Sequence, residues 1–163
     1  MFSIKKEDLL RSYLSARPEL NPEEAATTMS ADMWFRVPTI RIAEGHTVRS
    51  KAKTYMYLFT WESQFLGATH AMDGVVFGNG VPFGLLAGFN STEKVSQQMR
   101  KSWINFAKYG DPSFDKFRWP EYEQTQRLTA SINDSFSLLT DPYSKQRVLL
   151  EPVLTANWLD SGL

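Results

Sequence analysis

The stretch that most constrains this chain is Thr54-Tyr55-Met56-Tyr57-Leu58-Phe59-Thr60. It is almost continuously apolar and rich in aromatics. A strand with one wet face alternates polar and apolar residues. An unbroken run of this length reads instead as a strand covered on both faces, as in a parallel sheet. Helical patterns lie on either side of it, so the expected class is α/β. Sheets of that kind place ligands and catalysis just beyond the carboxyl ends of their strands. The residues after Thr60 are therefore the first place to look for chemistry.

The flanks support this reading. Ser3 can cap a helix over Ile4–Ala16, with Glu7 and Asp8 in its first turn and Leu9, Leu10 and Leu14 near one face. Pro18 and Pro22 break that pattern. Asn21 followed by Pro22 predicts a second helix start. Thr28–Arg49 reads as helical in parts, with apolar contacts from Met33, Trp34, Val37, Ile40 and Ile42, and with Pro38 kinking or dividing it. A helix begins at Ser91-Thr92-Glu93 and runs to about Tyr109. Its apolar face carries Val95, Met99, Trp103 and Phe106, read as core packing, and Gly110 and Pro112 stop it. Trp119-Pro120 belongs to an extended loop, Arg127–Ile132 suits a short edge strand, and Arg147–Leu159 suits a helix interrupted by Pro152. With no internal repeat, residues 1–163 read as a single partial domain.

Composition removes several function classes. Lys+Arg and Asp+Glu are 18 each, so no global field draws nucleic acid or an anionic membrane. There is no cysteine, which excludes disulfides, a thiolate nucleophile and Cys-type metal sites. No run approaches the ~20 apolar residues of a membrane span. Met1–Leu10 lacks the apolar centre of a secretory leader, which favours a cytoplasmic setting. Two distant histidines and scattered carboxylates give no metal-ligand spacing. Gly78, Gly80, Gly84 and Gly88 match neither a phosphate loop nor a dinucleotide fingerprint, so no cofactor is expected.

Only His46 and His70 offer imidazole chemistry. His46, in Glu44-Gly45-His46-Thr47, reads as a solvated surface residue. His70, in Gly67-Ala68-Thr69-His70-Ala71-Met72-Asp73, follows the expected strand and is the better candidate for proton transfer. Ser63 lacks the flanking glycines of a strained Gly-x-Ser-x-Gly nucleophile turn, and no Gly-rich oxyanion motif is present.

Three blocks, in order, resemble the C-terminal region of type-B carboxylesterases, particularly the bacterial branch of that α/β-hydrolase family. The first is YMYLFTWESQFLGATHAMDGVVFGN, Tyr55 to Asn79. It is similar to the family's last core strand, catalytic-histidine loop and Val-Phe-Gly. The second is MRKSWINFAKYGDP, Met99 to Pro112, and the third is Trp119-Pro120-Glu121-Tyr122. The match is good over about residues 30–135. Many relatives carry Gly after the histidine and Glu three places on, where this chain has Ala71 and Asp73.

The resemblance implies a C-terminal fragment of an α/β-hydrolase fold, with few strands and flanking helices. It implies that His70 is the general base of a serine esterase and that Asp73 helps set its loop. Phe65, Leu66 and Met72 are implied to line the substrate pocket. The triad order Ser, acid, His places the other two groups upstream, outside this sequence. The isolated chain is then expected to be inactive on carboxylic esters. Its expected partner is the N-terminal part of the esterase or, failing that, a second copy through self-association. A non-enzymatic interaction module on the same scaffold is the alternative.

Overall fold

The computed structural model describes residues 6–78 and 92–160. They form two compact units. One draws on the chain up to Gly45 and from Tyr143 onward, and the other on His46–Pro142. The expected cap Ser3 lies outside the described residues.

The first unit is helical. Helix α1 is Lys6–Ala16 and helix α2 is Pro22–Ala31. Leu9 and Tyr13, one turn apart, are buried on the inner side of α1, with Leu10 and Leu14 packed beside them. Asn21 starts α2 as expected. Its Oδ1 accepts the backbone N–H groups of Glu23 and Glu24 at 3.0 and 2.9 Å, and the Glu24 carboxylate accepts the Asn21 N–H at 2.9 Å. This reciprocal capping box satisfies donors that a helix start leaves open.

Pro38 exerts its effect upstream. A π-helical turn, Asp32–Arg36, separates α2 from helix α3, Val37–Arg49. The Val37 N–H reaches back five residues to the Asp32 carbonyl. Proline cannot donate to a regular helical ladder and crowds the carbonyl one turn before it, and the widened turn lies immediately ahead of it. Of the five apolar residues expected to make contacts here, Val37 and Ile40 are buried, whereas Trp34 and Ile42 are exposed. The extra residue in the turn moves Trp34 out of phase with the buried side. Helix α6, Ser144–Asp160, continues through Pro152. Its Leu150 and Leu154 complete a core with Leu9, Tyr13, Ala25 and Val37.

The second unit holds the sheet. Strand β1 is Met56–Phe59, within the expected run. It pairs in parallel with β2, Leu128–Ile132, which pairs antiparallel with β3, Phe136–Thr140. The order is β1-β2-β3. The segment read as an edge strand is therefore the middle one. Its hairpin partner β3 follows a short Asn133-Asp134-Ser135 turn, in which the Asn133 Oδ1 accepts the Asp134 N–H at 2.9 Å. The residues of β1 are half-buried rather than fully covered, as befits a strand paired on one side only among the described residues.

Helices α4, Met72–Gly78, and α5, Glu93–Tyr109, pack together. The core joins Trp61, Met72, Val76, Val95, Met99 and Ile132, with Tyr57, Phe59, Trp103 and Phe136 against it. Val95 and Met99 occupy the expected face of α5. Phe106 does not join that core. It is 46% exposed, with its ring edge against Tyr55. Gly110 ends α5 at φ +68, its N–H on the Phe106 carbonyl at 2.8 Å. The Gly-Asp-Pro turn that follows is fastened by the Ser102 hydroxyl on the Pro112 carbonyl, 2.6 Å. The Ser113 N–H on Asp111 Oδ1, 2.8 Å, fastens it again. Hydrogen bonding from Ser113 holds the Asp111 carboxyl below its ordinary range.

Candidate active site

The site grows from the carboxyl end of β1. The ladder ends where the N–H groups of Thr60 and Trp61 both reach the Ile132 carbonyl, at 2.9 and 3.0 Å. Trp61 then turns into the core and is buried. Eleven residues on, Met72 enters the same core, 2% exposed. Everything between them is a loop tied down at both ends.

Inside that loop, Ser63 and Gly67 form an antiparallel bridge, with N–H to carbonyl distances of 3.1 and 3.0 Å. Gly67 adopts φ +64, the left-handed conformation for which glycine carries no Cβ penalty. The Ser63 side chain is buried, and its Oγ accepts the N–H groups of Phe65 and Leu66 at 3.2 Å each. Its hydroxyl shapes a turn, consistent with the missing nucleophile motif. Phe65 and Leu66 project from the loop, 65% and 47% exposed.

His70 lies on the exposed part of the loop. The backbone beneath it is fixed by the Met72 N–H on the Thr69 carbonyl, 3.2 Å. Ala71, directly after the histidine, sits at φ +66. A Cβ in that region costs roughly 1–2 kcal/mol. Glycine at this position would not bear that cost. Asp73 then accepts the Tyr57 hydroxyl on Oδ2 and the Gly74 N–H on Oδ1, each at 2.9 Å. Burial pushes the Tyr57 phenol well above its ordinary value, and the hydrogen bond and negative charge of Asp73 push the same way.

The expected site residues thus separate. His70 and Asp73 lie on the loop and the start of α4, Phe65 and Leu66 at the loop's outer turn, and Met72 inside the core. His70 is exposed, and the aromatic run before it forms β1. His46 is exposed, with Nδ1 2.7 Å from the Thr54 hydroxyl, in keeping with a surface role. Among the described residues no group of three His, Cys, Asp or Glu could hold a metal ion. Among them, too, no helix is long and apolar enough to cross a membrane. Gly80, Gly84 and Gly88 lie outside the described residues.

Sequence reasoning missed Tyr57 as a polar group, because within an aromatic strand its ring is the salient feature. It also missed a shallow aromatic cleft of about 180 Å³, lined by Tyr55, Tyr57, Trp103, Phe106 and Trp119. Chemically, the arrangement presents one accessible imidazole, able to accept and return a proton, on a backbone anchored from both sides.

Comparison with known proteins gives this geometry a lineage. Residues 4–150 match the carboxylesterase family. The chain is 29% identical over 160 residues to the para-nitrobenzyl esterase of Bacillus subtilis, covering 89% of this chain and 32% of that protein. It is 36% identical over 101 residues to the bile salt-activated lipase of Homo sapiens, covering 57% of this chain and 13% of that one. Among solved structures, a thermophilic para-nitrobenzyl esterase superposes with a TM-score of 0.70 at 25% identity, over 92% of this chain and 34% of that one. A Geobacillus stearothermophilus carboxylesterase, at 23% identity, shares the fold with a TM-score of 0.72 over 90% of this chain. The chain thus spans about a third or less of the length of these relatives. With the family matched over nearly all of its length, this chain belongs to the carboxylesterase family of the α/β-hydrolase superfamily and carries a part of that fold.

Proposed function

We propose that this chain supplies the catalytic histidine of a serine carboxylic-ester hydrolase. The observation that carries the reading is the position of His70, exposed on a two-ended loop just past β1, in a chain of the carboxylesterase family. In this role the imidazole takes the proton from an attacking serine hydroxyl and returns it to the leaving alcohol. The serine, the triad acid and the oxyanion donors come from the rest of the hydrolase domain. Residual catalysis without a full triad relies on an oxyanion hole and bound substrate. The chain by itself is therefore inactive.

The partner is that same remainder of the domain. The outer rim of β1 is unpaired among the described residues and offers peptide groups to an incoming strand. Alone, the same rim favours self-association.

Co-expression with an esterase portion bearing the Gly-x-Ser-x-Gly turn tests the whole reading. The two pieces should co-elute and hydrolyse p-nitrophenyl butyrate, while this chain alone stays at background. His70→Ala in the reconstituted enzyme should cost ~10³-fold or more in kcat. Full activity in that variant overturns the reading, as does His70-dependent activity of the isolated chain.

A further inference from the structure

We infer that Tyr57 is the positioning residue of the His70 loop, acting through Asp73; the inference rests on the proposed role of His70 and deepens it. Tyr57 is a strand residue. Its ring packs against the core and stands edge-on to Trp103, with centroids 5.3 Å apart. Strand position and ring packing fix where the phenol oxygen lies. From there it donates to Asp73, three residues beyond the histidine, at 2.9 Å.

Three restraints then act on a short span. Trp61 seats one end of the loop in the core and Met72 the other. Between Met72 and Asp73 there is no slack, so the phenol also fixes the first turn of α4. Ala71 takes up the difference with a left-handed backbone that only a well-restrained segment sustains. An Ala in that conformation returns to ordinary φ values when its neighbours are released. Tyr57 therefore holds His70 in place at a distance, without touching it, through a charge-assisted hydrogen bond on its neighbour.

The chain has two histidines, which makes the test direct. The imidazole carbon–proton signals of the full chain are recorded by NMR, with His46→Gln assigning the pair. Tyr57→Phe keeps the ring and removes only the donor. The His70 signals should shift and broaden while those of His46 stay put. Amide exchange over residues 69–74 should accelerate by ~10-fold or more, the worth of a hydrogen bond to a charged group. Asp73→Ala should reproduce both changes, and the double variant should add nothing further. Should Tyr57→Phe lose its fold by near-UV circular dichroism, Asp73→Ala breaks the same bond from the other side and decides the matter. Unchanged His70 signals, or additive effects in the double variant, overturn the inference.

In the reconstituted esterase, Tyr57→Phe should lower kcat by ~10-fold with KM little changed, as expected for a misplaced base. If His70→Ala leaves that enzyme active, the esterase reading fails while the NMR result still judges the clamp.

Discussion

In the helical unit Tyr13 donates to Asp32 at 2.7 Å, and in the sheet unit Tyr57 donates to Asp73 at 2.9 Å. The two pairs share chemistry and differ in what surrounds them. Asp32 is also gripped by Arg36, through Nε at 2.6 Å and Nη2 at 2.7 Å. The guanidinium groups of Arg36 and Arg17 lie over the ring of Tyr143, which has φ +56. This network is closed: a buried carboxylate, its cation, a phenol and an aromatic lid. At Asp73 the second partner is only the Gly74 N–H, and among the described residues no cation sits on the carboxylate. The loop beside it carries an exposed imidazole. A closed network ties groups of the core to one another, whereas the open one ties the start of α4 to β1 beside an exposed loop. The same tyrosine–aspartate bond therefore belongs to a buried ion network in one unit and to a turn with uncharged partners in the other.

Asp32→Ala should have the largest effect on stability. It strands the mostly buried Arg36 cation and the Tyr13 hydroxyl together. Removing one partner of a buried pair costs about 3 kcal/mol or more, so urea unfolding should show a large fall in stability. Asp73→Ala, lacking a stranded cation, should cost about 1–2 kcal/mol in the same measurement. Equal losses would erase the distinction between closed and open networks.

Raising the pH probes both phenols at once. Burial is the main cause that holds each well above the ordinary value of 10.0. A group whose folded value is raised contributes stability that is complete below the unfolded value and disappears as pH climbs toward the folded one. Unfolding free energy should therefore drop above about pH 10, and Tyr57→Phe should make that drop shallower by removing the share of Tyr57 while that of Tyr55 remains. A drop of the same steepness in the variant would assign the whole effect elsewhere.

The smallest effect is a gain. Ala71→Gly frees the left-handed backbone beside His70 and should stabilise the chain by about 0.5–1 kcal/mol, read as a higher urea midpoint. A loss would mean that the extra freedom of glycine in the unfolded chain outweighs the relief.

Local rules carried much of the fold. The aromatic run, the Asn21-Pro22 cap, the Val95–Met99 part of the apolar face of α5 and the Gly110 stop depend on neighbours within a turn or two, and each formed where its residues indicate, whereas Phe106 stayed outside the core. The sheet order did not follow from such rules. Placing β2 in the middle needs knowledge of β3, and Phe136–Thr140 shows no clean alternation, with Leu138 41% exposed. Tyr13 as the most buried residue of α1 was equally hidden, since a phenol enters a core only when a partner such as Asp32, 19 positions away, meets its hydroxyl. At the site, the position of the loop that carries His70, after a strand, was legible from the aromatic run that precedes it. The bond from Tyr57 to Asp73 spans 16 positions, and no spacing rule reaches that far.

The π turn at Asp32–Arg36 makes the start of α3 sensitive to chain length in an unusual way. One residue more than a regular helix rotates whatever follows by about 100°. Excising a single residue there would leave a helix nearly as long. It would swing Val37, Ile40 and Ala43 off their buried side and set Pro38 against the preceding turn. Substitutions at exposed Trp34 change a surface, but a one-residue deletion dials the entire segment to a new azimuth.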